Sequence, residues 1–289
     1  MKSIYKIAGV KRETVYSPNH VENDAAIFDS VARFLEAMGH EVKVYDEQAL
    51  LSGDVSEKYV FNMVRNPQAM RKLQEMERCG VLAVNSGFGI ENCTRERMTV
   101  LLLEKGIPHP KSLVSDLLPS LSDELEQLGF GPCWIKRADS QAVQKGDVCF
   151  VDNDAEINEV LEDFHDRGIK RVVVNEHLTG DLIKFYGVLG TPFFYWFYPM
   201  EVSHSKFGLE AVNGAPKGFA FSVNELKNVC ERAAKALCVD VYGGDVIVAE
   251  NGTMRVIDFN DWPSFAPCRE KAADAISHLI VNKIVDNEI

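Results

Sequence analysis

The sequence predicts an α/β protein in which an open, largely parallel sheet comes first and an α+β part follows. In the first third of the chain, strand patterns alternate with helix patterns, beginning with a strand at 4–10 and an amphipathic helix at 24–38. After an extended segment at 107–110, two strands, a helix and a further strand form a smaller α+β unit. The chain has 289 residues, 46% of them hydrophobic, which is enough for one large core or two to three small ones.

Boundary signals support the elements of the N-terminal part. Gly39 and Gly106 end the first and third helices, and Pro67 lies in the first turn of the second. Gly87-Phe88-Gly89 follows a strand and matches half of a dinucleotide-binding fingerprint, but no acidic ribose ligand follows at the required distance. The expected strands are 4–10, 41–45, 59–64 and 81–85, and the expected helices are 24–38, 67–78 and 94–105.

The second part of the chain is predicted from strand propensity and helix caps. One helix is expected to run from Asp154, as N-cap, to about His165, and another to begin at Ser222, where Glu225 completes a capping box. The aromatic run at 193–198 favours a buried strand over a platform for stacking a ligand. The other expected strands are 133–137, 148–151, 171–175 and 183–189.

The charge balance argues against anionic partners. Lys and Arg number 31 against 43 Asp and Glu, so the formal charge is −12, which repels nucleic acids and anionic membrane surfaces. No apolar stretch is long enough for a membrane helix, and no signal-peptide pattern is present. We therefore expect a cytoplasmic protein without a nucleic-acid or membrane partner. The seven cysteines are odd in number and never spaced C-x-x-C, which favours reduced thiols over a zinc site.

A hairpin near residue 251 carries the clearest chemical signal. Asn251-Gly252 between two β-rich runs predicts a two-residue type I′ turn, which places Asp245 opposite Asp258. Asn260 follows two residues later and should leave the same face as Asp258. Two facing carboxylates repel each other unless a cation or a shared proton intervenes, and oxygen ligands of this kind suit Mg²⁺. The alternative is a solvated pair of aspartates at a sheet edge.

These residues resemble signatures of the ATP-grasp superfamily, over roughly 94–266. In that family a paired-carboxylate-plus-Asn signature lies on the last strands. The segments that carry the resemblance here are Gly243-Gly244-Asp245 and Ile257-Asp258-Phe259-Asn260, the strand Pro132 to Lys136, the hinge-like run Val173 to Leu178, and Gly180 to Lys184. The last segment is similar to one in ribosomal-protein glutamate ligases, and D-alanine–D-alanine ligases are of the same type.

The resemblance implies ATP and Mg²⁺ as cofactors, with two ions expected and Mn²⁺ as a possible substitute. It implies a metal site at Asp245, Asp258 and Asn260. For ATP it implies Lys136 at the phosphates, Glu176, His177 and Leu178 at the adenine, Asp181 at the ribose, and Lys184 at phosphate or the acceptor substrate. Arg97 stands where the family usually has a lysine, so Arg97 and Lys184 are the candidate catalytic residues.

Some features depart from the family pattern. The loop at 138–146, expected to cover the phosphates, contains one glycine instead of several, and Asp261-Trp262-Pro263-Ser264 replaces the usual Ser-Pro-Gly. The second departure concerns the identity of the substrate.

The resemblance implies an ATP-grasp fold and three expected domains. These are an N-terminal β-α-β domain at 1–92, a central subdomain at 93–175 and a C-terminal subdomain with the metal site at 176–289. The leading hypothesis is an ATP-dependent carboxylate–amine ligase that acts through an acyl phosphate on small molecules or peptides. The alternatives are a kinase of the inositol polyphosphate type, which the charge of −12 disfavours, and a non-catalytic ATP-binding protein. A homodimer is the general expectation for an oligomer of this kind.

Overall fold

The computed structural model describes residues 3–16, 21–117, 121–138, 145–199 and 212–288. Most of the expected phosphate-covering loop, 139–144, lies outside the described residues. Within the described part of the chain, no helix has the length and apolar content needed to span a bilayer.

The first sheet is parallel throughout, as predicted. Its strands are β1 (Lys6–Val10), β2 (Glu41–Tyr45), β3 (Tyr59–Asn62) and β4 (Leu82–Val84), in the order β2-β1-β3-β4. The helices of this region are α1 (Val21–Ala37), α2 (Glu47–Ser52), α3 (Pro67–Arg78), α4 (Gly87–Asn92) and α5 (Arg95–Glu104). The connection after β1 leads to β2 on one side, and β3 lies on the other side of β1. In open sheets, such a switch point between neighbouring strands forms a crevice at their carboxyl ends.

Two antiparallel sheets follow. The middle sheet has the order β5-β8-β6-β7, with strands β5 (Ser112–Asp116), β6 (Cys133–Arg137), β7 (Val148–Val151) and β8 (Arg171–Glu176). The last sheet has the order β10-β9-β11-β12, with strands β9 (Asp181–Val188), β10 (Phe194–Phe197), β11 (Val241–Val248) and β12 (Met254–Asp261). The remaining helices are α6 (Leu121–Gln127), α7 (Asp154–Asp166), α8 (Val223–Leu237) and α9 (Arg269–Glu288). This mixture of a parallel sheet and antiparallel sheets confirms the predicted fold class.

Several local predictions need correction. The N-cap of α7 is Asn153, whose side chain accepts from the backbone N–H of Glu156 at 3.0 Å, rather than Asp154. The expected aromatic strand is an edge strand, β10, and most of its side chains are half-buried. Five observed elements were not predicted, namely α2, α4, β5, α6 and α9, and four of them are short.

The Gly87-Phe88-Gly89 run has a packing role. It begins α4, and a Cβ added to Gly89 would lie 2.1 Å from the carbonyl oxygen of Cys238. Glycine is therefore required for the close approach of α4 to the end of α8. This explains the half-match to a dinucleotide fingerprint without a bound dinucleotide.

One apolar core joins the first and last sheets. Phe61 of β3 stacks on the fully buried Trp262 that follows β12, and α1 packs against α9. Because the ends of the chain share this core, the first sheet is held directly against the strand that carries Asp258 and Asn260.

Candidate active site

A row of charged side chains crosses three neighbouring strands of the last sheet. Lys184 of β9 pairs in register with Asp245 of β11, which pairs with Asp258 of β12. Lys184 Nζ lies 3.1 Å from Oδ1 and 3.4 Å from Oδ2 of Asp245. Since directly paired residues share a face of a sheet, one ammonium and two carboxylates lie side by side.

The pairing of Asp245 with Asp258 results from two departures from a regular two-residue hairpin. Their effects on the strand register cancel. The predicted two-residue type I′ turn is wrong. The loop has three residues between Ala249 and Thr253, and φ is positive at Gly252 but not at Asn251. The longer loop shifts the register by one, so Val248 pairs with Met254.

A bulge then restores the register. The pairing shifts between Asp245 and Val246, because Val246 pairs with Val256 while Asp245 pairs with Asp258. Ile257 is the extra residue, and beyond it the pairing agrees with the prediction. The expected facing of the carboxylates therefore occurs, although for a different local reason.

Asn260 lies beside the carboxylate pair. Its Nδ2 is 3.5 Å from Asp258 Oδ2, and its backbone pairs with Gly243. The described residues contain no cluster of three His, Cys, Asp or Glu side chains suited to a metal. A metal at this edge would therefore take two carboxylates and an amide from the chain and further oxygens from a bound ligand, a donor set that fits Mg²⁺.

The two glycines before Asp245 allow the strands to approach closely. A Cβ on Gly244 would lie 2.2 Å from the carbonyl oxygen of Asp258. A Cβ on Gly243 would lie 2.6 Å from a ring carbon of Tyr186. A side chain at Gly244 would push β12 away from β11, and with it the carboxylate of Asp258, whereas a side chain at Gly243 would collide with β9.

Two buried cations approach the carboxylates from other elements. Arg95 of α5, whose side chain is 6% exposed, places NH1 at 3.8 Å from Asp258 Oδ1. Lys136 of β6 is buried, and its Nζ lies 3.5 Å from the carbonyl oxygen of Ile257. Since α5, the middle sheet and the last sheet all contribute, the site lies where the three meet.

The charges of these groups shift one another's pKa values. Burial, and after it the charge of the nearby Arg95, lowers the pKa of Lys136 to about 7 against the opposing effect of the two aspartates. Burial raises the pKa of Asp258, but Arg95, Lys136 and Lys184 together outweigh burial, so the net pKa lies below the ordinary value. Asp258 is therefore ionised near neutral pH, as a metal ligand must be.

The structure places Arg95, rather than Arg97, at the carboxylates. Arg97 has a half-exposed side chain that donates to Asn92 Oδ1 at 3.1 Å and 3.2 Å. Residues two apart on a helix point about 200° apart, so only one of the two arginines can face the site. The sequence could have indicated that Arg95 faces inward, because it shares a helix face with Met98 and Leu102, which are buried.

The residues expected at the adenine lie at the connection between β8 and β9. Glu176 Oε1 accepts from the backbone N–H of Lys111 at 2.7 Å, so this carboxylate ties the end of β8 to the residue before β5. The carbonyl of Leu178 accepts from Asn213 Nδ2 at 3.1 Å.

His177 joins an aromatic group at the same place. Its backbone N–H donates to Pro132 O at 2.8 Å, and its Nδ1 accepts from Trp134 Nε1 at 3.2 Å. Its ring centroid lies 5.1 Å from that of Phe150. Burial lowers the pKa of His177, which favours the neutral ring in this setting.

Asp181 has a role that the sequence did not suggest. Its carboxylate is 3% exposed and accepts from the backbone N–H groups of Lys217 at 2.6 Å and Phe219 at 2.8 Å. The carboxylate of Asp181 therefore holds the segment 217–219, and its role at the ribose stays a prediction.

His109 also lies near the cationic group. Its Nδ1 is 2.7 Å from the carbonyl oxygen of Val256, and Pro108 O accepts from the backbone N–H of Val256 at 2.9 Å. Burial, followed by the charge of Lys136, lowers the pKa of His109 to about 4. Sequence reasoning gave no role to this residue, because its partners come from β12 and β6, far along the chain.

A separate cavity of about 140 Å³ opens at the carboxyl ends of β1 and β3. Charged side chains line it, including Lys11, Glu13 and the ion pair in which Arg12 NH1 lies 2.8 Å from Asp24 Oδ2. Asp24 lies within the first turn of α1 and does not cap it, because the helix begins at Val21.

Neither a protein-family model nor a curated protein sequence matches the chain. Solved structures do. The D-alanine–D-alanine ligase from Bacillus anthracis complexed with ATP superposes with a TM-score of 0.66 at 14% identity, over 98% of this chain and 97% of that one. ATP-grasp ligase PsnB, complexed with minimal precursor, Mg and ADP, gives a TM-score of 0.59 at 18% identity, over 96% and 97% of the two chains.

A third structure is a RimK-domain ATP-grasp protein from Sphaerobacter thermophilus DSM 20745, with a TM-score of 0.65 at 15% identity, over 96% of this chain and 99% of that one. The chain has the ATP-grasp fold. Because the likeness extends over nearly the full length of each chain, the ATP-grasp arrangement includes the N-terminal parallel sheet as well as the two antiparallel sheets. At these identities the comparison concerns the fold and leaves the reaction to be argued from the residues.

Within this fold, the candidate residues come from both antiparallel sheets. Asp245, Asp258, Asn260 and Lys184 belong to the last sheet, and Lys136 belongs to the middle sheet. Of the residues expected at the phosphates, only Arg97 lies away from this group.

Proposed function

We propose that the chain is an Mg²⁺-dependent ligase that uses ATP to join a carboxylate to an amine. The observation that carries the proposal is the row of Lys184, Asp245 and Asp258, flanked by the buried cations Arg95 and Lys136. Cations and metal-binding carboxylates side by side are the arrangement that transfer of a phosphoryl group requires. Two structures of the same fold, one solved with ATP and one with Mg and ADP, are ligases.

The reaction would proceed in two balanced steps. A carboxylate oxygen of the acid attacks the γ-phosphorus of ATP, the bond to the β-phosphate oxygen breaks, and ADP leaves. The amine nitrogen then attacks the acyl carbon, phosphate leaves with the bonding electrons, and the nitrogen loses a proton. Bound Mg²⁺ would supply a Lewis acid that neutralises the charge on the phosphoryl oxygens.

The chain's own residues would divide this work. Lys136 and Arg95 would bind phosphate oxygens, since each is buried beside the carboxylates. Lys184 would hold Asp245 in place before the metal binds and then contact a phosphate or the acid. Asp245, Asp258 and Asn260 would bind the metal, two ions being expected.

The adenine would bind at the connection between β8 and β9. Backbone groups of Glu176, His177 and Leu178 can read a purine edge without placing a charge against it. The aromatic group around His177 offers an apolar wall for the base.

The experiment is mass spectrometry of a metabolite extract incubated with the purified protein, Mg²⁺ and ATP. We expect a product equal to an acid plus an amine minus water, together with ADP and phosphate. Asp258→Asn should abolish this product, and Asp286→Asn, an exposed carboxylate in α9, should leave it unchanged. A metabolite that gains one phosphoryl group would support a kinase instead, and the absence of any ATP-dependent product would favour a binding protein.

A further inference from the structure

Two arginines in loops of the N-terminal sheet form hydrogen bonds with the C-terminal end of β12 and the residue after it. Arg65, just after β3, donates from NH1 to the Asp261 carboxylate and from NH2 to the Asp261 carbonyl at 3.2 Å. Arg12, just after β1, donates from NH2 to the carbonyl of Trp262 at 3.3 Å and from NH1 to Asp24 at 2.8 Å. Two consecutive residues, the last of β12 and the one that follows it, are therefore held by loops of another sheet.

The loops that carry these arginines are themselves held in place. The carboxylate of Glu47 is fully buried and accepts from three backbone N–H groups, those of Glu13 at 3.1 Å, Arg65 at 3.2 Å and Asn66 at 2.7 Å. Because the side chain of Glu47 joins the loops after β1 and β3, it fixes the positions of both arginines at one edge of the first sheet.

The segment after β12 has a backbone conformation that residues with large side chains rarely adopt. Trp262 has φ of 36° and Phe265 has φ of 50°, both in the left-handed region. Such conformations persist where surrounding contacts hold them. The fully buried ring of Trp262 stacks on Phe61 with 6.2 Å between centroids, so these contacts also come from the first sheet.

The contact between Arg65 and Asp261 lies on the face of β12 opposite to the carboxylate pair. Successive side chains of a strand point to opposite faces, so Asp261 points toward Arg65 while Asn260 points toward Asp258. We propose that Arg65 is a positioning residue, which acts through Asp261 to hold Asn260 beside Asp258 as a metal ligand. The inference rests on the metal role of Asn260 in the proposed function.

The test measures metal binding in addition to activity. Free Mn²⁺ is followed by electron paramagnetic resonance while the whole protein is titrated in the presence of a non-hydrolysable ATP analogue. We expect Arg65→Met and Asp261→Asn each to weaken Mn²⁺ binding about tenfold, the range seen when a residue that orients a metal ligand is lost. The double variant should be no weaker than either single variant, because both changes break the same contact.

Stability separates this role from a purely structural one. Each single variant leaves one buried group without its charged partner and should unfold more easily, whereas the double variant removes both charges and should recover much of the loss. Mn²⁺ binding should stay weak in the double variant. If binding recovers together with stability, or if it is unchanged in all three variants, the proposal is overturned.

A matched control comes from a second ion pair between the ends of the chain. Arg33 of α1 pairs with Glu270 of α9 at 2.6 Å on the surface, remote in sequence from β12. Arg33→Met should change neither Mn²⁺ binding nor hydrogen exchange of the amides at 254–265, which should exchange faster in Arg65→Met. Equal effects of the two substitutions would overturn the proposal.

The outcomes for the proposed function are distinct. If the wild-type protein binds Mn²⁺ with the analogue and responds to Arg65→Met, but forms no condensation product, the ligase assignment fails while the positioning role stands. If Asp258→Asn leaves Mn²⁺ binding unchanged, the metal site itself is absent and the positioning role falls with it.

Discussion

Lys184 and Asp245 face each other on adjacent antiparallel strands, with 3.1 Å between Nζ and Oδ1. The next strand places Asp258 directly beyond Asp245, so a single ammonium lies at the end of a row that carries two carboxylates. Because like charges on neighbouring strands repel, this lysine stabilises the pair and lowers the pKa of Asp258 together with Arg95 and Lys136.

Lys184→Met tests whether this ammonium acts in turnover. We expect the rate of the ATP-dependent reaction to fall about 100-fold, the loss seen when a charge-stabilising donor is removed from an active site. The folded state should remain, as checked by circular dichroism. Lys72→Met, which breaks an exposed contact within α3, serves as the control and should keep the wild-type rate. A wild-type rate in Lys184→Met would contradict the role.

The lowered pKa of Lys136 predicts that ATP binding takes up a proton. With a pKa of about 7, this lysine is about 90% neutral at pH 8, and anionic phosphates favour its charged form. Calorimetry of analogue binding in buffers of different ionisation enthalpy should therefore show uptake approaching one proton at pH 8 and little from this group at pH 6. Lys136→Arg stays charged at both pH values and should lose this uptake.

His109 predicts how stability changes with acid. Its pKa is about 4 in the folded protein and about 6.5 in the unfolded chain, so the unfolded chain binds more protons between these values. The stability due to the neutral ring is fully present above pH 6.5 and is lost as the pH falls toward 4. Urea unfolding of His109→Gln should show a shallower loss over this window, whereas His278→Gln, on the exposed face of α9, should follow the wild type.

Gly244 predicts a packing effect at the carboxylates. Since a Cβ there would lie 2.2 Å from the backbone oxygen of Asp258, Gly244→Ala should lower the free energy of unfolding by about 2 kcal/mol and impair metal binding. Gly131→Ala, where an added Cβ would meet no heavy atom of another part of the chain within 4 Å, should change the free energy of unfolding by less than about 0.5 kcal/mol. Urea denaturation of both variants checks the difference, and equal stabilities would contradict it.

The hairpin shows how a correct expectation can follow from incomplete local reasoning. The pairing of Asp245 with Asp258 was predicted from a two-residue turn, but the chain uses a three-residue loop and a bulge at Ile257. The extra residue lies in β12, because β11 keeps an unbroken register with β9, a strand outside the hairpin, in which Asp245 faces Lys184.

Elements with local sequence signals could be predicted without the fold. The strand at 41–45 and the helix at 67–78 have the predicted bounds, since alternation and a proline at the first turn act within a few residues. The same local rules, with the ATP-grasp resemblance, put Asp245, Asp258 and Asn260 together on one hairpin.

Long-range packing determines which distant groups reach this hairpin. It placed Arg95 rather than Arg97 beside Asp258, brought Lys136 from the middle sheet, and set Arg65 on Asp261 across 196 positions of sequence. Burial, the pKa shifts and these ion pairs depend on the packing of three sheets. A side chain's sequence neighbours do not specify that packing, because each of these contacts joins segments that become neighbours only when the chain folds.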